Sequence, residues 1–296
     1  MPAAKRRWNG HNHIARCDLR FSRFCIIRNM VNVEIIVVGN EVLLGLVQDT
    51  NSNYLCRIAR GPGVRVRRIT VVADDLDEIA GEIRGSLARS ASLIFTCGGL
   101  GPTEDDMTLA GVARACDLPL VLDEAARDFV RRRYDELAAQ FFVRKGGLTD
   151  ERLKMALLPR GATMIENPVG TAPAIVLDFQ GSRIVSLPGV PAEMRGIVEG
   201  PLRKWLSPML ESANYVEREL FADCGDESIL APALRVVAAA HPDVYIKSHA
   251  GKFGAAVRFR ITFSASAQTE QEALAMIEKA RGDLREGLNA AGIATE

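Results

Sequence analysis

Long apolar runs, an excess of basic residues and cysteine motifs are all missing from this 296-residue sequence. No run approaches the roughly 18 apolar residues that a bilayer-spanning helix needs, so we expect no membrane partner. Lysine and arginine total 37, as do aspartate and glutamate, and this balance argues against a dedicated nucleic-acid binder. The six cysteines form neither a zinc spacing nor a secreted disulfide pattern. We therefore expect free thiols and a cytoplasmic protein.

The sequence divides into a basic leader and two folded parts. Residues 1–29 carry seven lysines and arginines but a single aspartate, and Met30 stands directly before the first strand-like run. We expect residues 1–30 to be a disordered basic extension, or the product of a start codon placed too far upstream. The rest is long enough for two domains, which we place at 31–208 and 209–296.

From Val33 onward, short apolar runs alternate with amphipathic stretches. This alternation is typical of βαβ units around a buried, mostly parallel sheet, so we predict an α/β domain over 31–208. The pattern predicts strands at 33–38, 65–72, 92–96, 163–165, 174–178 and 183–187, a short helix after 149, and longer helices at 51–60, 77–89, 105–116, 123–142 and 191–205.

The order of elements changes after residue 208. The pattern predicts a strand at 216–222, a helix at 227–240, strands at 244–248 and 255–264, and a helix at 269–286. This order is typical of a small α+β subdomain. In the segment 257–263 the apolar side chains fall on one face, so we expect this sheet to be covered on one side and solvated on the other.

The strongest chemical signal is a glycine-rich loop between a predicted strand and a predicted helix, in the segment 96–108. Glycines allow successive backbone N–H groups to point into one concavity, and a following helix N-terminus adds its positive end, which together suit a phosphate. The spacing matches neither the dinucleotide fingerprint nor the P-loop. We therefore predict a phosphate site of another type, with Gly98, Gly99, Gly101 and Thr103 as binding residues.

Two adjacent carboxylates, Asp105 and Asp106, follow these glycines. Hard divalent cations prefer carboxylate oxygens together with phosphate oxygens, so the pair predicts a metal site for Mg²⁺, Mn²⁺ or Co²⁺, with Glu41 as a further ligand. The alternative needs no ligand: Thr103 would be a helix N-cap and Asp106 the third helical residue, as in a capping box. The phosphate-like loop favours the metal.

Several polar residues follow predicted strands. Glu41 follows the first strand, Asp74 and Asp75 follow the second, and Pro188 and Gly189 follow a later one. Since ligands of open parallel sheets bind at the carboxyl ends of the strands, we expect these segments to converge on one cleft. Capping of the next helix is an equally good explanation for the two aspartates taken alone.

Weaker signals add three candidate binding residues. Gly170 and Thr171 lie in the turn 167–173 and offer backbone and hydroxyl donors. Lys154 could reach an anion from its short helix, although an isolated lysine is usually only solvated. We interpret the arginine run 131–133 as a solvated helix face. No nucleophile motif is present, so we do not expect covalent catalysis.

Taken in order, these segments resemble the molybdopterin-binding-like domain of the CinA (competence/damage-inducible protein A) family. The resemblance runs from about Val33 onward, and the region 216–288 looks like the small α+β subdomain that follows in that family. The motifs that carry it are 39–45 (GNEVLLG), 49–51 (DTN), 98–106 (GGLGPTEDD), 154–159 (KMALLP), 170–173 (GTAP) and 187–194 (LPGVPAEM).

The resemblance implies a three-layer α/β/α fold, shared with the MogA, MoaB and MoeA-type proteins of molybdenum cofactor synthesis. It also implies a homodimer or larger homo-oligomer. By analogy with the MogA-type site, Asp74 and Asp106 would be the catalytic carboxylates and the glycine loop the phosphate cradle. The chain ends at Glu296 without room for the nicotinamide-nucleotide amidase domain of many relatives, so we expect no amidase activity.

Some CinA-like proteins hydrolyse ADP-ribose with a divalent metal, whereas MogA-type relatives adenylylate molybdopterin. Both ligands are small molecules that carry phosphate. We expect first a divalent-metal-dependent pyrophosphohydrolase of the ADP-ribose type, in which the cation neutralises the diphosphate and activates water. The alternatives are a protein that binds or adenylylates molybdopterin, and a non-catalytic interaction module.

Overall fold

The computed structural model of the protein describes residues 31–60, 64–210, 214–249 and 258–296. The basic extension predicted at 1–30 lies outside these ranges. The strands are β1 (Val31–Val38), β2 (Val64–Val72), β3 (Leu93–Cys97), β4 (Leu120–Leu122), β5 (Leu157–Pro159), β6 (Thr163–Ile165), β7 (Ala174–Phe179), β8 (Ser182–Leu187), β9 (Asn214–Asp223), β10 (Tyr245–His249) and β11 (Arg258–Ala267). The helices are α1 (Asn40–Leu43), α2 (Asn51–Ile58), α3 (Leu76–Ala88), α4 (Thr108–Ala115), α5 (Glu124–Ala139), α6 (Asp150–Lys154), α7 (Pro191–Glu199), α8 (Arg203–Leu210), α9 (Glu227–Ala240) and α10 (Glu270–Ala290).

Six strands form the main sheet in the order β2-β1-β3-β8-β7-β6. Strand β1 pairs in parallel with β2 and β3, and β3 pairs in parallel with β8. Strand β7 runs antiparallel to both β8 and β6. The mostly parallel α/β sheet predicted from the sequence is therefore confirmed. A register shift between Val33 and Glu34 leaves Arg67 as an extra residue in β2, which forms one edge of the sheet.

Strand β1 shows why helices cover both faces of this sheet. Val33, Ile35 and Val37 belong to a core that also contains buried residues of α2, α7 and α8. Ile36 and Val38 belong to the opposite core, with residues of α3 and α4. Because successive side chains of a strand point to opposite faces, a wholly apolar strand needs cover on both sides. The result is a three-layer arrangement.

The second sheet is antiparallel, in the order β10-β11-β9. Phe259, Ile261 and Phe263 of β11 are buried in one core with residues of α9 and α10, so one face is covered as predicted. The other face is only partly solvated. The arginines at the start of β11 are exposed, but Thr262 and Ser264 are buried. The start of the strand predicted at 255 lies outside the described residues.

The structure corrects two predicted helices. The helix predicted at 105–116 begins only at Thr108. The helix predicted at 191–205 is two helices, because residues 200–202, which begin with the helix-breaking pair Gly200 and Pro201, separate α7 from α8. The elements α1, β4 and β5 were not predicted. They span only three or four residues each, too few to show a periodic pattern.

Two further expectations from the sequence concern membrane-spanning helices and cysteines. Within the described ranges, no helix is both long and apolar enough to cross a bilayer. Free thiols were also expected, and the cysteines at 56, 97, 116 and 224 carry free thiols.

Candidate functional site

A cleft of about 440 Å³ opens at the carboxyl edge of the parallel strands. Its lining comes from the segments that follow β1, β2, β3 and β8, together with the turn before β7 and the first turn of α7. Because parallel neighbours end at the same edge, residues far apart in sequence meet here. The predicted site residues that line the cleft are Glu41, Asp74, Gly98, Gly99, Gly101, Asp105, Asp106, Thr171, Pro188 and Gly189.

The other three predicted site residues lie beside the cleft. The ammonium group of Lys154 donates a hydrogen bond to the backbone carbonyl of Thr103, so this lysine braces the glycine loop from outside. Gly170 precedes the lining residue Thr171 and packs against Glu193, a cleft residue that was not predicted. These three residues support the walls of the cleft.

The backbone of the glycine loop is fixed in a conformation that favours glycine. Gly98 and Gly99 have φ values of 108° and 64°, which L side chains rarely adopt. A Cβ atom at Gly98 would overlap the carbonyl oxygen of Val38. The Thr108 hydroxyl, at the start of α4, donates to the Gly98 carbonyl over 2.7 Å. The loop is therefore shaped before any ligand arrives.

Asp106 closes a turn within this loop. Its Oδ2 accepts hydrogen bonds from the backbone N–H of Thr103, over 2.9 Å, and from the Thr103 hydroxyl, over 2.6 Å. The capping alternative is wrong about the helix, because α4 begins at Thr108, but the contact that it predicted between Thr103 and Asp106 is present. Asp106 lines the cleft and also holds the loop together.

The neighbours Asp74 and Asp75 have different environments. Asp75 is the N-cap of α3 and accepts hydrogen bonds from the N–H groups of Asp77 and Glu78, so the capping explanation holds for Asp75. Asp74 lines the cleft, and its Oδ2 accepts from the N–H of Asn40 over 2.8 Å. Only Asp74 is placed to meet a ligand.

The cleft is acidic. Hydrogen bonding from Thr103 and from its own backbone holds the pKa of Asp105 below its usual value, which keeps this carboxylate ionised. Burial raises the pKa of Glu193. A bare phosphate would be repelled by several such groups unless a cation lay between them. Among the described residues the lining contains no lysine, arginine or histidine, and its carboxylates are Glu41, Asp74, Asp105, Asp106 and Glu193.

These carboxylates do not form a metal site by themselves. In the part of the chain that the structure describes, no three acidic, histidine or cysteine side chains lie close enough to hold a metal ion. Mg²⁺ is commonly bound by only one or two carboxylates together with water and ligand phosphate. The predicted ligands Asp105, Asp106 and Glu41 line the same cleft, and their binding of a cation stays a prediction.

Sequence reasoning missed a buried network behind one wall of the cleft. Asn167 is only 1% exposed. Its Nδ2 donates to Glu193 Oε2 over 2.6 Å and to the Ala172 carbonyl over 2.8 Å. Its Oδ1 accepts from the N–H groups of Val169 and Gly170, over 2.9 and 2.8 Å. The turn signal of the Asn-Pro pair at 167–168 was available, since asparagine side chains often bond the backbone two residues on.

Arg133 supports the same turn, which corrects the interpretation of the run 131–133 as a solvated face. Its Nε and Nη2 donate to the backbone carbonyls of Gly170 and Val169, each over 2.9 Å. The other two arginines of the run pair with carboxylates on exposed surface. The sequence gives no sign of this difference, because the contacts of Arg133 join segments more than 30 residues apart.

Asn51, another residue that sequence reasoning missed, contacts the segment that follows β8. Its Nδ2 donates to the Gly189 carbonyl over 2.6 Å and lies 3.2 Å from the sulfur of Cys97. The Cys97 thiol donates to the Pro188 carbonyl over 3.4 Å. Burial raises the pKa of Cys97 to about 12. A thiol that stays protonated is a poor nucleophile, and its contacts here are structural.

Comparison with known sequences places most of the first domain in one family. The family model described as "Probable molybdopterin binding domain" matches residues 34–208, more than half of the chain. A protein of Aeropyrum pernix is 40% identical over 258 residues, which cover 85% of this chain and 93% of that protein. A protein of Sulfurisphaera tokodaii is 36% identical over 254 residues, covering 86% and 93%.

The chain is also similar to two solved structures. The crystal structure of the protein CinA, of unknown function, from Thermoplasma acidophilum is 39% identical, with a TM-score of 0.53, and covers 59% of this chain and 98% of that one. The molybdopterin biosynthesis enzyme MoaB of Thermus thermophilus is 21% identical, with a TM-score of 0.40, and covers 62% and 95%.

Proposed function

This chain belongs to the family of probable molybdopterin-binding domains, and from that membership we propose that its cleft binds molybdopterin or a closely related phosphate-bearing pterin. The observation that carries the proposal is the glycine loop at the carboxyl edge of the sheet. The N–H groups of Gly99, Leu100 and Gly101 donate to no backbone carbonyl in the described residues. Such donors, next to a helix N-terminus, suit phosphate oxygens.

A divalent cation completes this proposal. The phosphate would approach the glycine loop between carboxylates, and the lining described above offers no basic side chain to balance them. Asp105 and Glu41 would hold the cation, with Asp106 contributing the oxygen that Thr103 leaves free. The metal would neutralise the phosphate charge and, for a hydrolytic reaction, would supply an activated water. The protein positions the ligand and the cation together.

The proposal is tested by titrating the purified protein with hydroxymethylpterin phosphate and following the quenching of pterin fluorescence. We expect binding in Mg²⁺, Mn²⁺ or Co²⁺ that weakens at least about tenfold in EDTA, since an uncompensated charge contact costs about that much. The matched variants are Asp74→Asn and Asp75→Asn, which change adjacent carboxylates. The first should weaken binding and the second should not. No quenching with any metal would contradict the proposal and favour a non-catalytic interaction module.

A second candidate function is metal-dependent hydrolysis of an ADP-ribose-type diphosphate, for which Asp105 lies in the cleft together with the glycine loop. The same cation and loop would stabilise charge developing on the phosphate. The measurement is the release of AMP from ADP-ribose with each metal. We expect Asp105→Asn to abolish it, and it is a cleaner variant than Asp106→Asn because Asp106 also closes the loop. Turnover without metal would contradict this mechanism.

We further propose that the protein forms a homo-oligomer and is located in the cytoplasm. A homo-oligomer is checked by light scattering on the purified protein, and a cytoplasmic location by fractionation of cells. We also propose that the chain is a CinA-type member of its family, which the likeness to the Thermoplasma acidophilum protein supports.

A further inference from the structure

Glu193 stands apart from the other carboxylates of the cleft by its position. It lies in the first turn of α7, directly after β8, and lines the cleft there. Glu41 and Asp74 follow β1 and β2, and the glycine loop follows β3. The sheet order β2-β1-β3-β8 therefore places Glu193 on one side of the phosphate cradle and Glu41 and Asp74 on the other. With about 4.8 Å between neighbouring strands, a ring system attached to a phosphate at β3 reaches β8.

The carboxylate of Glu193 is held in place by a buried side chain. Its Oε2 accepts a hydrogen bond from Asn167 Nδ2 over 2.6 Å, and Asn167 is itself fixed by three backbone groups and almost fully buried. Gly170 leaves room for the carboxylate, since a Cβ atom there would overlap it. Arg133 holds the turn from outside. The orientation of the Glu193 carboxylate is therefore set before a ligand binds.

This fixed carboxylate has an unused acceptor. Within the described residues, Oε1 of Glu193 accepts no hydrogen bond, although the side chain lines the cleft and is partly buried. A carboxylate has about four acceptor positions, so Oε2 also keeps capacity beyond its bond to Asn167. Both oxygens can therefore accept hydrogen bonds from a ligand in the cleft that Glu193 lines. The arrangement favours a ligand that brings neighbouring N–H donors to this wall.

We propose that Glu193 determines which heterocycle the cleft accepts, by taking hydrogen bonds from the amino group and adjoining ring N–H of the pterin while the phosphate lies on the glycine loop. This inference rests on the proposed pterin-binding function. The amino group and ring N–H of a pterin lie side by side on one edge, as two donors that match the two oxygens of a carboxylate. Glu41 and Asp74, on the far side, remain available to the cation.

The test uses a pair of ligands that differ at one position. Hydroxymethylpterin phosphate carries the amino group, and hydroxymethyllumazine phosphate carries a carbonyl in its place. We expect the wild-type protein with Mg²⁺ to bind the pterin at least about tenfold more tightly, because a charge-assisted hydrogen bond is replaced by an oxygen facing an oxygen. This comparison uses only the wild-type protein, so it does not depend on whether a variant folds.

The variant Glu193→Gln should lose this preference by about tenfold or more while binding the lumazine at least as well as the wild type. The matched control is Glu199→Gln, at the other end of α7, where Glu199 accepts from the Tyr54 hydroxyl outside the cleft. It should keep the preference. Thermal melting of both variants checks that the fold is intact.

Each outcome separates the inference from the function on which it rests. If the wild type binds neither ligand, the pterin-binding proposal fails and this inference fails with it. If the wild type binds both equally, or if Glu193→Gln keeps the preference, Glu193 does not select the heterocycle while pterin binding stands. If the variant loses Mg²⁺ affinity with the preference unchanged, Glu193 is a cation ligand and the inference is overturned.

Discussion

The two flanks of the cleft are built in opposite ways. On the side of β1 and β2, Glu41 is exposed and belongs to α1, a helix of four residues that buries none of them. On the side of β8 and β7, Glu193 is fixed by the buried Asn167, and the turn behind it is clamped by Arg133. The first flank presents an exposed carboxylate on a short helix. The other presents an acceptor whose position is already fixed.

This difference matters because recognition and charge compensation make different demands. A cation adapts to several arrangements of oxygen ligands and water, so loosely held carboxylates suffice. Discrimination between similar heterocycles depends on donors and acceptors that cannot move to suit the wrong ligand. We expect the two flanks to respond differently to matched changes.

Removing one asparagine from each flank should produce the largest contrast. Asn167→Ala leaves the N–H groups of Val169 and Gly170 and the Glu193 carboxylate without their partner. We expect the free energy of unfolding to fall by about 1–3 kcal/mol, as for other buried groups left without a hydrogen bond. Chemical denaturation measures the change.

The control for this change is Asn40→Ala on the other flank. Asn40 is exposed, and its contact with Asp74 uses the backbone N–H. The substitution should alter the free energy of unfolding by no more than about 0.5 kcal/mol. If both variants lost the same free energy of unfolding, the two flanks would be equally rigid and the proposed difference between them would be wrong.

A smaller contrast is expected from adding one methyl group to each flank. At Gly170 an alanine Cβ would overlap the carboxylate of Glu193, which Asn167 holds in place. We expect Gly170→Ala to destabilise the protein by about 1–3 kcal/mol, as overpacking does elsewhere. At Gly39 the Cβ would lie 2.8 Å from the carboxylate of Glu41, but this exposed side chain can turn away.

Gly39→Ala should therefore cost clearly less than Gly170→Ala when the two are compared by thermal and chemical denaturation under the same conditions. A larger loss from Gly39→Ala would mean that Glu41 is held as firmly as Glu193. That result would make the β1 side the rigid flank.

The smallest effect is a difference in the pH dependence of stability. Burial raises the pKa of Glu193 above the usual 4.5, so the folded state binds this proton more tightly than the unfolded state does. Wild-type stability should fall relative to Glu193→Gln as the pH rises from about 4 to about 7. Denaturation at several pH values measures this.

Asp105, on the glycine loop, should show the opposite sign. Its pKa is held below the usual 3.8 by hydrogen bonding, so its contribution to stability is present at neutral pH and is lost as the pH falls through the lowered value. The deficit of Asp105→Asn should therefore shrink on acidification. The same direction of change in both variants would contradict the proposed difference in environment.

Local patterns in the sequence predicted the elements that create the cleft. The apolar run of β1 requires cover on both faces. From it the mostly parallel sheet was predicted correctly. Residues that follow strands must meet at one edge if the sheet is parallel, which brought Glu41, Asp74 and the glycine loop together. The start of α4 was placed three residues too early because Asp105 and Asp106 look like first-turn residues of a helix.

The supporting network could not be predicted in the same way. Arg133 lies in a run of three arginines, and only the fold determines which of them turns inward to the carbonyls of Val169 and Gly170. The link from Asn167 to Glu193 spans 26 residues and depends on the pairing of β7 with β8. Periodicity reports the face of an element, and it carries no information about which distant side chain meets that face.

The arginines of β2 have a consequence for the behaviour of the protein at high concentration. Strand β2 forms one edge of the main sheet, where unpaired backbone groups invite another strand to add. Arg65, Arg67 and Arg68 are exposed along it, and Arg67 is the extra residue at the register shift. Charge and an irregular edge both oppose strand addition. The strand at the other edge, β6, has only three residues, so neither end of the sheet is a good template for aggregation.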